Sequence, residues 1–322
     1  MDEPFISALL LDGQGRATTL SLSEVEQWFP EQGVLWVHLD CANEAGCQWL
    51  TERSGVSDVI SEALLSEDTR PRISHIDEQS LVFLRGVNLA EGAEPEDMVS
   101  IRICIEQRRV ISTRRRRLLS VADLIQALQE GDGPRTSSEF LVTLCHYLTL
   151  RMDAVIDDLQ ERMAQIEESV VEDASAEGRN ELTAIRRQSI KLRRYLAPQR
   201  EALVKIAFDR RSWLDPDDRP LLQESTDRLI RYIEELDAIR ERAIVTQEEF
   251  TSQLSEQMNQ RMYVMSLIAA LFLPLGFLTG LLGVNIGGIP GTGSPFAFTL
   301  FVVFLLGISV LILIFFKIKR WF

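Results

Sequence analysis

The sequence predicts an α/β domain that passes into long stalk helices and ends in two transmembrane helices. Three observations carry this reading. Over the first 135 residues, short apolar runs alternate with helix-like segments. From Thr226 to Gln260 there is neither Pro nor Gly, and the apolar residues recur at helical spacing. Finally, Met262 to Leu282 and Phe296 to Phe316 contain no Asp, Glu, Lys, Arg or His, and each run has about the 20 residues a helix needs to cross a hydrocarbon core.

In the first segment, 1–135, "FISALLLDGQGRATTLSL", "GVLWVHLDC", "SLVFLRGVNL", "VSIRICIEQ" and "RVISTR" read as strands. "SEVEQWF", "EAGCQWLTER", "VISEALL" and "SVADLIQALQ" read as helices. Segment 136–212 reads as a helical hairpin. Its first arm runs from Ser138 to Val171, with Leu141, Leu144, Leu148, Val155, Leu159, Met163 and Ile166 on one face, and its second from Asn180 to Phe208, with "EDASAEGRN" as the turn. Acids on the first arm and bases on the second predict charge pairing between or along the arms. "LDPDDRP" then supplies start signals for a helix from near Pro220 to Leu282. Its part within 213–261 carries Leu222, Leu229, Leu236, Ala243 and Phe250 at seven-residue intervals, a stripe that needs other helices or copies of itself to cover it.

The spans are 262–282 and 296–316, joined by the loop 283–295 and followed by the basic tail 317–322. Arg261 precedes the first span, Lys317, Lys319 and Arg320 follow the second, and the loop carries no charge. The positive-inside rule therefore places both chain ends in the cytoplasm and "GVNIGGIPGTGSP" outside. "MDEPFISALL" has two acids and no basic stretch, which predicts no cleavable signal peptide.

Composition excludes several functions. A net charge of -14 argues against nucleic-acid binding. The 4 cysteines form no C-x-x-C pair and predict core thiols in a reducing compartment. The 3 histidines are far apart and suit core or capping roles better than metal ligation. Neither nucleotide-loop glycine motifs nor a G-x-S-x-G is present, so no enzyme and no resident cofactor is predicted. The arginine run Arg114–Arg117 reads as a solvated edge or as a partner for acids elsewhere. Asp153 and Asp157 share a helix face, where a solvated acidic face competes with a shared dication.

Met258, Met262 and Met265 lie three or four apart at the entry to the first span, a spacing that serves packing or a hydrophobic constriction. Asn285, at the outer end of that span, either ends the helix or presents an amide dipole toward a cation. Two spans cannot enclose a water-filled path, so a pore requires several copies around one axis.

A long helix entering the first span, Gly283-Val284-Asn285 at its end, a second C-terminal span and a short basic tail resemble the CorA superfamily of divalent-cation transporters over essentially the whole chain. The magnesium-transporting members carry Tyr-Gly-Met-Asn before a loop with an acidic residue. Leu282-Gly283-Val284-Asn285 followed by "IGGIPG" looks instead like the zinc-transporting ZntB branch. The resemblance implies a funnel-shaped homopentamer in the inner membrane, surrounded by lipid and passing Zn2+ or other divalent cations. It implies an outer entrance at Gly283, Val284 and Asn285, where a hydrated ion meets Asn285. Gly276, Leu273, Met265 and Met262 would line the path, and Lys317, Lys319 and Arg320 would form a basic ring. Two rival expectations stand beside it: a magnesium or broad-divalent channel gated by metal between the soluble domains, and a membrane-tethered sensor or scaffold without flux.

Overall fold

The computed structural model describes residues 4–67, 70–172, 176–209, 211, 213–283 and 293–318. They fall into two compact units, Met1–Gln247 and Glu248–Phe322.

The first unit is built on a seven-stranded sheet. Its strands are β1 (Ser7–Leu11), β2 (Ala17–Thr19), β3 (Val34–Asp40), β4 (Arg72–Ile76), β5 (Gln79–Gly86), β6 (Val99–Ile105) and β7 (Arg109–Arg114), in spatial order β2-β1-β3-β7-β6-β5-β4. Among the described strands only the central β3–β7 pair is parallel, with Val37 opposite Ile111; the other neighbours are antiparallel. The central strands are buried on both faces, which explains their nearly continuous apolar sequences. The expected strand runs all appear. β4 was not expected: "RISHI" is an edge strand that pairs with β5 among the described strands, and with Ile73, Ser74 and Ile76 only half-buried it shows no apolar alternation.

Alternation along β3 sends Leu35, Val37 and Leu39 to one side, where they pack with Trp49 and Leu50 of α2 (Glu44–Glu52) and Ile60 and Leu64 of α3 (Asp58–Leu65). Trp36 points the other way and meets Phe140 of α5 (Ser137–Leu150) edge-on at 4.8 Å. A short α1 (Leu22–Glu26) and α4 (Leu119–Glu130) complete the layers. Gly86 permits this packing, because a Cβ there would come within 2.7 Å of Leu118 Cδ1 and Leu148 Cδ2. The α5 helix thus belongs to the sheet layer rather than to a separate hairpin.

The first expected arm, Ser138 to Val171, is two helices. It breaks at Arg151 and Met152, and α6 (Asp153–Glu172) continues. The second arm is α7 (Ala176–Ala207), which starts before Asn180 and carries Pro198 in its interior; residues 173–175 lie outside the described set. Pairing across the hairpin runs from Arg162 Nε to Glu181 Oε1 at 2.8 Å, so the base sits on the first arm and the acid on the second.

A 3-10 turn at Pro216–Asp218, with Asp215 accepting from Asp217 N at 3.0 Å, leads into α8 (Arg219–Leu282). Within the first unit α8 lies against α6 and α7. Arg242 donates to Glu167, with Nε to Oε1 at 2.8 Å, and Arg193 of α7 meets Asp237 at 2.7 Å. Leu222, Leu229, Leu236 and Ala243 of the seven-residue stripe are buried. In the second unit α8 continues to Leu282, and α9 (Ala297–Ile318) follows. Both are long and apolar enough to cross a membrane.

Candidate functional site: the apolar helix pair

On a helix of 3.6 residues per turn, Met262, Met265, Leu273 and Gly276 fall within an arc of about 80°. This is one continuous face of α8, and Ala269 and Gly280 share it. The large side chains on it are exposed, Met265 by 67% and Leu273 by 77%. The opposite side carries the half-buried positions Tyr263, Leu267, Ala270, Leu271, Pro274 and Leu278. A half-buried stripe runs down α9 through Ala297, Phe301, Leu305, Ile308 and Ile312 to the buried Phe316. The Met262–Gly280 face is exposed among the described residues, as are Ile268, Phe272 and Phe277 beside it.

The uncovered face carries no ionisable group and little polarity. Thr279, beside it, spends its hydroxyl on the helix's own carbonyls, Leu275 O at 2.9 Å and Gly276 O at 3.0 Å. Nothing lies within 4 Å of a Cβ placed on Gly276 or Gly280, so both positions are bare backbone surface. Pro274 lies inside α8, and its ring removes the N–H that would reach the carbonyl of Ala270.

At the end of α8, the Gly283 N–H bonds Thr279 O at 2.9 Å, and a Cβ on Gly283 would stand 2.8 Å from that same oxygen. Only glycine closes the helix in this geometry without a shift. Val284 and Asn285 lie outside the described residues, as do Lys319 and Arg320. Lys317 is exposed in the last turn of α9, where a cation complements the helix dipole.

The first unit holds no metal-binding group of three or more His, Cys, Asp or Glu among the described residues. Asp153 is engaged by Tyr232 Oη and by Arg228 at 3.6 Å. Burial, then Asp153, pushes the Tyr232 phenol well above its ordinary value. His38 is wholly buried and shares the Ser112 hydroxyl with Trp36, each at 2.8 Å; burial, then Arg114, lowers its pKa from 6.5 to about 3. His75 reaches Ser80 at 2.9 Å and Asp209 at 3.4 Å, and His146 sits half-buried beside Tyr147. Of the arginine run, Arg115 meets Glu67 at 2.9 Å, whereas Arg116 has no carboxylate partner among the described residues.

Sequence reasoning missed Ala269 and Gly280 as members of the uncovered face. The signal was present, since both fall in register with Met262 and Leu273.

Comparison with known proteins agrees with this architecture. Residues 31–320 match the family model described as CorA-like Mg2+ transporter protein. The chain is 42% identical over 320 residues to the divalent cation transporter CmaX of Pseudomonas aeruginosa, covering 98% of this chain and 96% of that one. It is 40% identical over 300 residues to the zinc transport protein ZntB of Pectobacterium atrosepticum, covering 93% and 90%. The structure of full-length CmaX superposes with a TM-score of 0.87 at 40% identity over 100% of this chain and 99% of that one. The CorA magnesium transporter of Methanocaldococcus jannaschii shares the fold, with a TM-score of 0.84 at 15% identity over 98% and 99%. An α/β domain, a helix continuous from Arg219 to Leu282 and a second apolar helix at Ala297–Ile318 therefore place the chain in the CorA family.

Proposed function

We propose that this chain transports divalent cations, with Zn2+ as its physiological ion, through a homopentameric pore in the inner membrane. The observation that carries the reading is the uncovered α8 face from Met262 to Gly280. It is apolar and exposed among the described residues; several copies around an axis turn it inward as the wall of a path. Relatives named as zinc transport proteins match 93% of the chain at 40% identity and support zinc as the cargo.

In this reading the ion enters at a ring of Gly283, Val284 and Asn285. It meets the amide of Asn285 while largely hydrated, passes Gly276 and Leu273, then Met265 and Met262, and leaves toward the cytoplasm, where both chain ends lie. Lys317, Lys319 and Arg320 form a basic ring around the inner end. Amide dipoles suit a hydrated dication because they stabilise charge without holding it as a carboxylate would. The membrane potential contributes about 2.3 kcal/mol per charge per 100 mV, hence twice that for a dication, and makes uptake the downhill direction. Neither apolar run contains Asp, Glu, Lys, Arg or His, so any coupled proton must use residues at the ends of the spans.

A broad-divalent channel is the second reading, favoured by the 42% identity to a relative named for divalent cations without a specified metal. Uptake into liposomes bearing the purified chain separates the two readings. Zinc uptake above magnesium, raised by an inward proton gradient and lost in Asn285→Ala, supports the zinc reading. Equal, gradient-independent flux of both ions supports the channel, and absence of any flux overturns both in favour of a tethered sensor.

A further inference from the structure

The first unit contains a cavity of about 510 Å³ that the transport reading does not use. It is lined from four directions: Arg85 comes from β5, Arg102 from β6, Arg115 and Arg116 from the segment after β7, and Lys191 and Arg194 from α7. Three carboxylates, Glu67, Glu96 and Asp97, oppose these six cations. In a chain of net charge -14, an excess of positive charge in one concavity runs against the average of the molecule.

Each acid has a cation beside it, although Glu96 Oε2 is itself buried without a hydrogen-bond partner. Arg115 holds Glu67 at 2.9 Å, and Lys191 lies 3.3 Å from Asp97 and 3.6 Å from Glu96. Arg102, Arg116 and Arg194 have no carboxylate partner among the described residues. Arg102 is the decisive one. It is only 1% exposed, its Nη1 reaches nothing better than the Cys41 Sγ at 3.8 Å, and its Nε is buried with no partner. A guanidinium stays charged in proteins and presents a planar fork of donors, so a buried one without an anion is an unfilled half of a bidentate pair. Beside it, Arg85 stacks on Tyr195 with 4.1 Å from guanidinium carbon to ring centroid, which fixes a second cation at the wall.

We propose that this cavity binds a small soluble molecule bearing two or more linked phosphates, held by Arg102 at its floor and by Arg116 and Arg194 at its mouth. The volume decides against a single halide, which would leave most of the space without partners, and falls in the usual range for small-molecule sites of roughly 300–1,000 Å³. The charge decides against a monocarboxylate, since three arginines without ion pairs match a multiply charged oxyanion. The proposal concerns the first unit alone and stands whichever cation the chain carries.

The test is isothermal titration of inorganic pyrophosphate into the full chain in detergent, free of divalent metal and in 150 mM chloride. The outcome predicted is saturable one-site binding per chain, weakened at least tenfold in Arg102→Met and also in the surface double variant R116S/R194S. The double variant removes exposed side chains, so it reports on the site even if Arg102→Met fails to fold. No binding to the wild-type chain, or binding that the double variant leaves unchanged, overturns the proposal. The two sources of phosphate are separated by a second arm with vesicles containing phosphatidylinositol phosphates: pyrophosphate competing at the site supports the soluble ligand, and capture of vesicles that pyrophosphate does not displace overturns it.

Discussion

Arg151 donates from Nε and Nη2 to the two carboxylate oxygens of Asp123, both at 2.6 Å. This fork joins α4 to the point where α5 ends and α6 begins. Asp123 is also the main influence raising the Arg151 pKa, through that hydrogen bond. Both side chains keep about 30% of their surface, so solvent screens the pair without dissolving it. Asp123→Ala should lower the stability of the full chain in detergent by about 1–2 kcal/mol. A double-mutant cycle with Arg151→Ala should return a coupling of roughly 1 kcal/mol, and a coupling near zero would show that the break in the helix is held by packing alone.

That break was not legible in the sequence, and the reason is geometric. Leu148 and Val155 are seven residues apart, so the apolar stripe passes through Arg151 and Met152 with its period intact, and Met152 itself is buried. The β4 edge strand was hidden for the opposite reason, having too little burial to impose a pattern. Where burial was strong, as in β3, β6 and the Leu222–Ala243 stripe, sequence and structure agree. For α8, the family resemblance implied Met262, Met265, Leu273 and Gly276, which fall on one arc of a single helix. The arginine cavity was not legible, because Arg102 is a single base inside "VSIRICI" and its neighbours arrive from three other parts of the chain.

Acid should destabilise the first unit through His38. Its folded pKa of about 3 lies below the ordinary 6.5, so above pH 6.5 both states are neutral and the full stability is present. As pH falls below 6.5 the unfolded chain takes up a proton that the folded chain refuses, at a cost of about 1.4 kcal/mol per pH unit. His38→Gln should flatten the fall in melting temperature between pH 6.5 and 4.5. An identical slope in wild type and variant would remove His38 as its cause.

The thiols should divide by reactivity. Burial pushes Cys104 and Cys145 up to about 12, from an ordinary value of 9.0. At pH 8 each therefore holds about a thousandfold less thiolate than an unshifted cysteine. Cys41 and Cys47 are partly exposed, although burial raises Cys47 as well. Alkylation followed by mass spectrometry should find Cys41 modified first in the folded chain, with Cys104 and Cys145 modified only after denaturation. Early labelling of Cys104 would mean that the sheet opens locally.

The sharpest test of the proposed path compares the two sides of α8. If the Met262–Gly280 face lines water, a cysteine at Leu273 or Gly276 will ionise and react with a charged thiosulfonate reagent. A cysteine at Leu267 or Leu278, on the half-buried side of α8, will stay protonated and unreactive. Modification should then reduce ion uptake into liposomes by at least about tenfold for Leu273→Cys and Gly276→Cys and leave Leu267→Cys and Leu278→Cys unchanged, since only the first pair places bulk and charge in the path. Gly276 is the more demanding position: with nothing within 4 Å of its Cβ site, a new side chain there meets only what passes or what a neighbouring copy presents. Uptake blocked from both sides of the helix alike would mean that reagent enters through lipid or disrupts packing, and uptake blocked only from the Leu267 side would place the path between α8 and α9 and discard the pentameric axis.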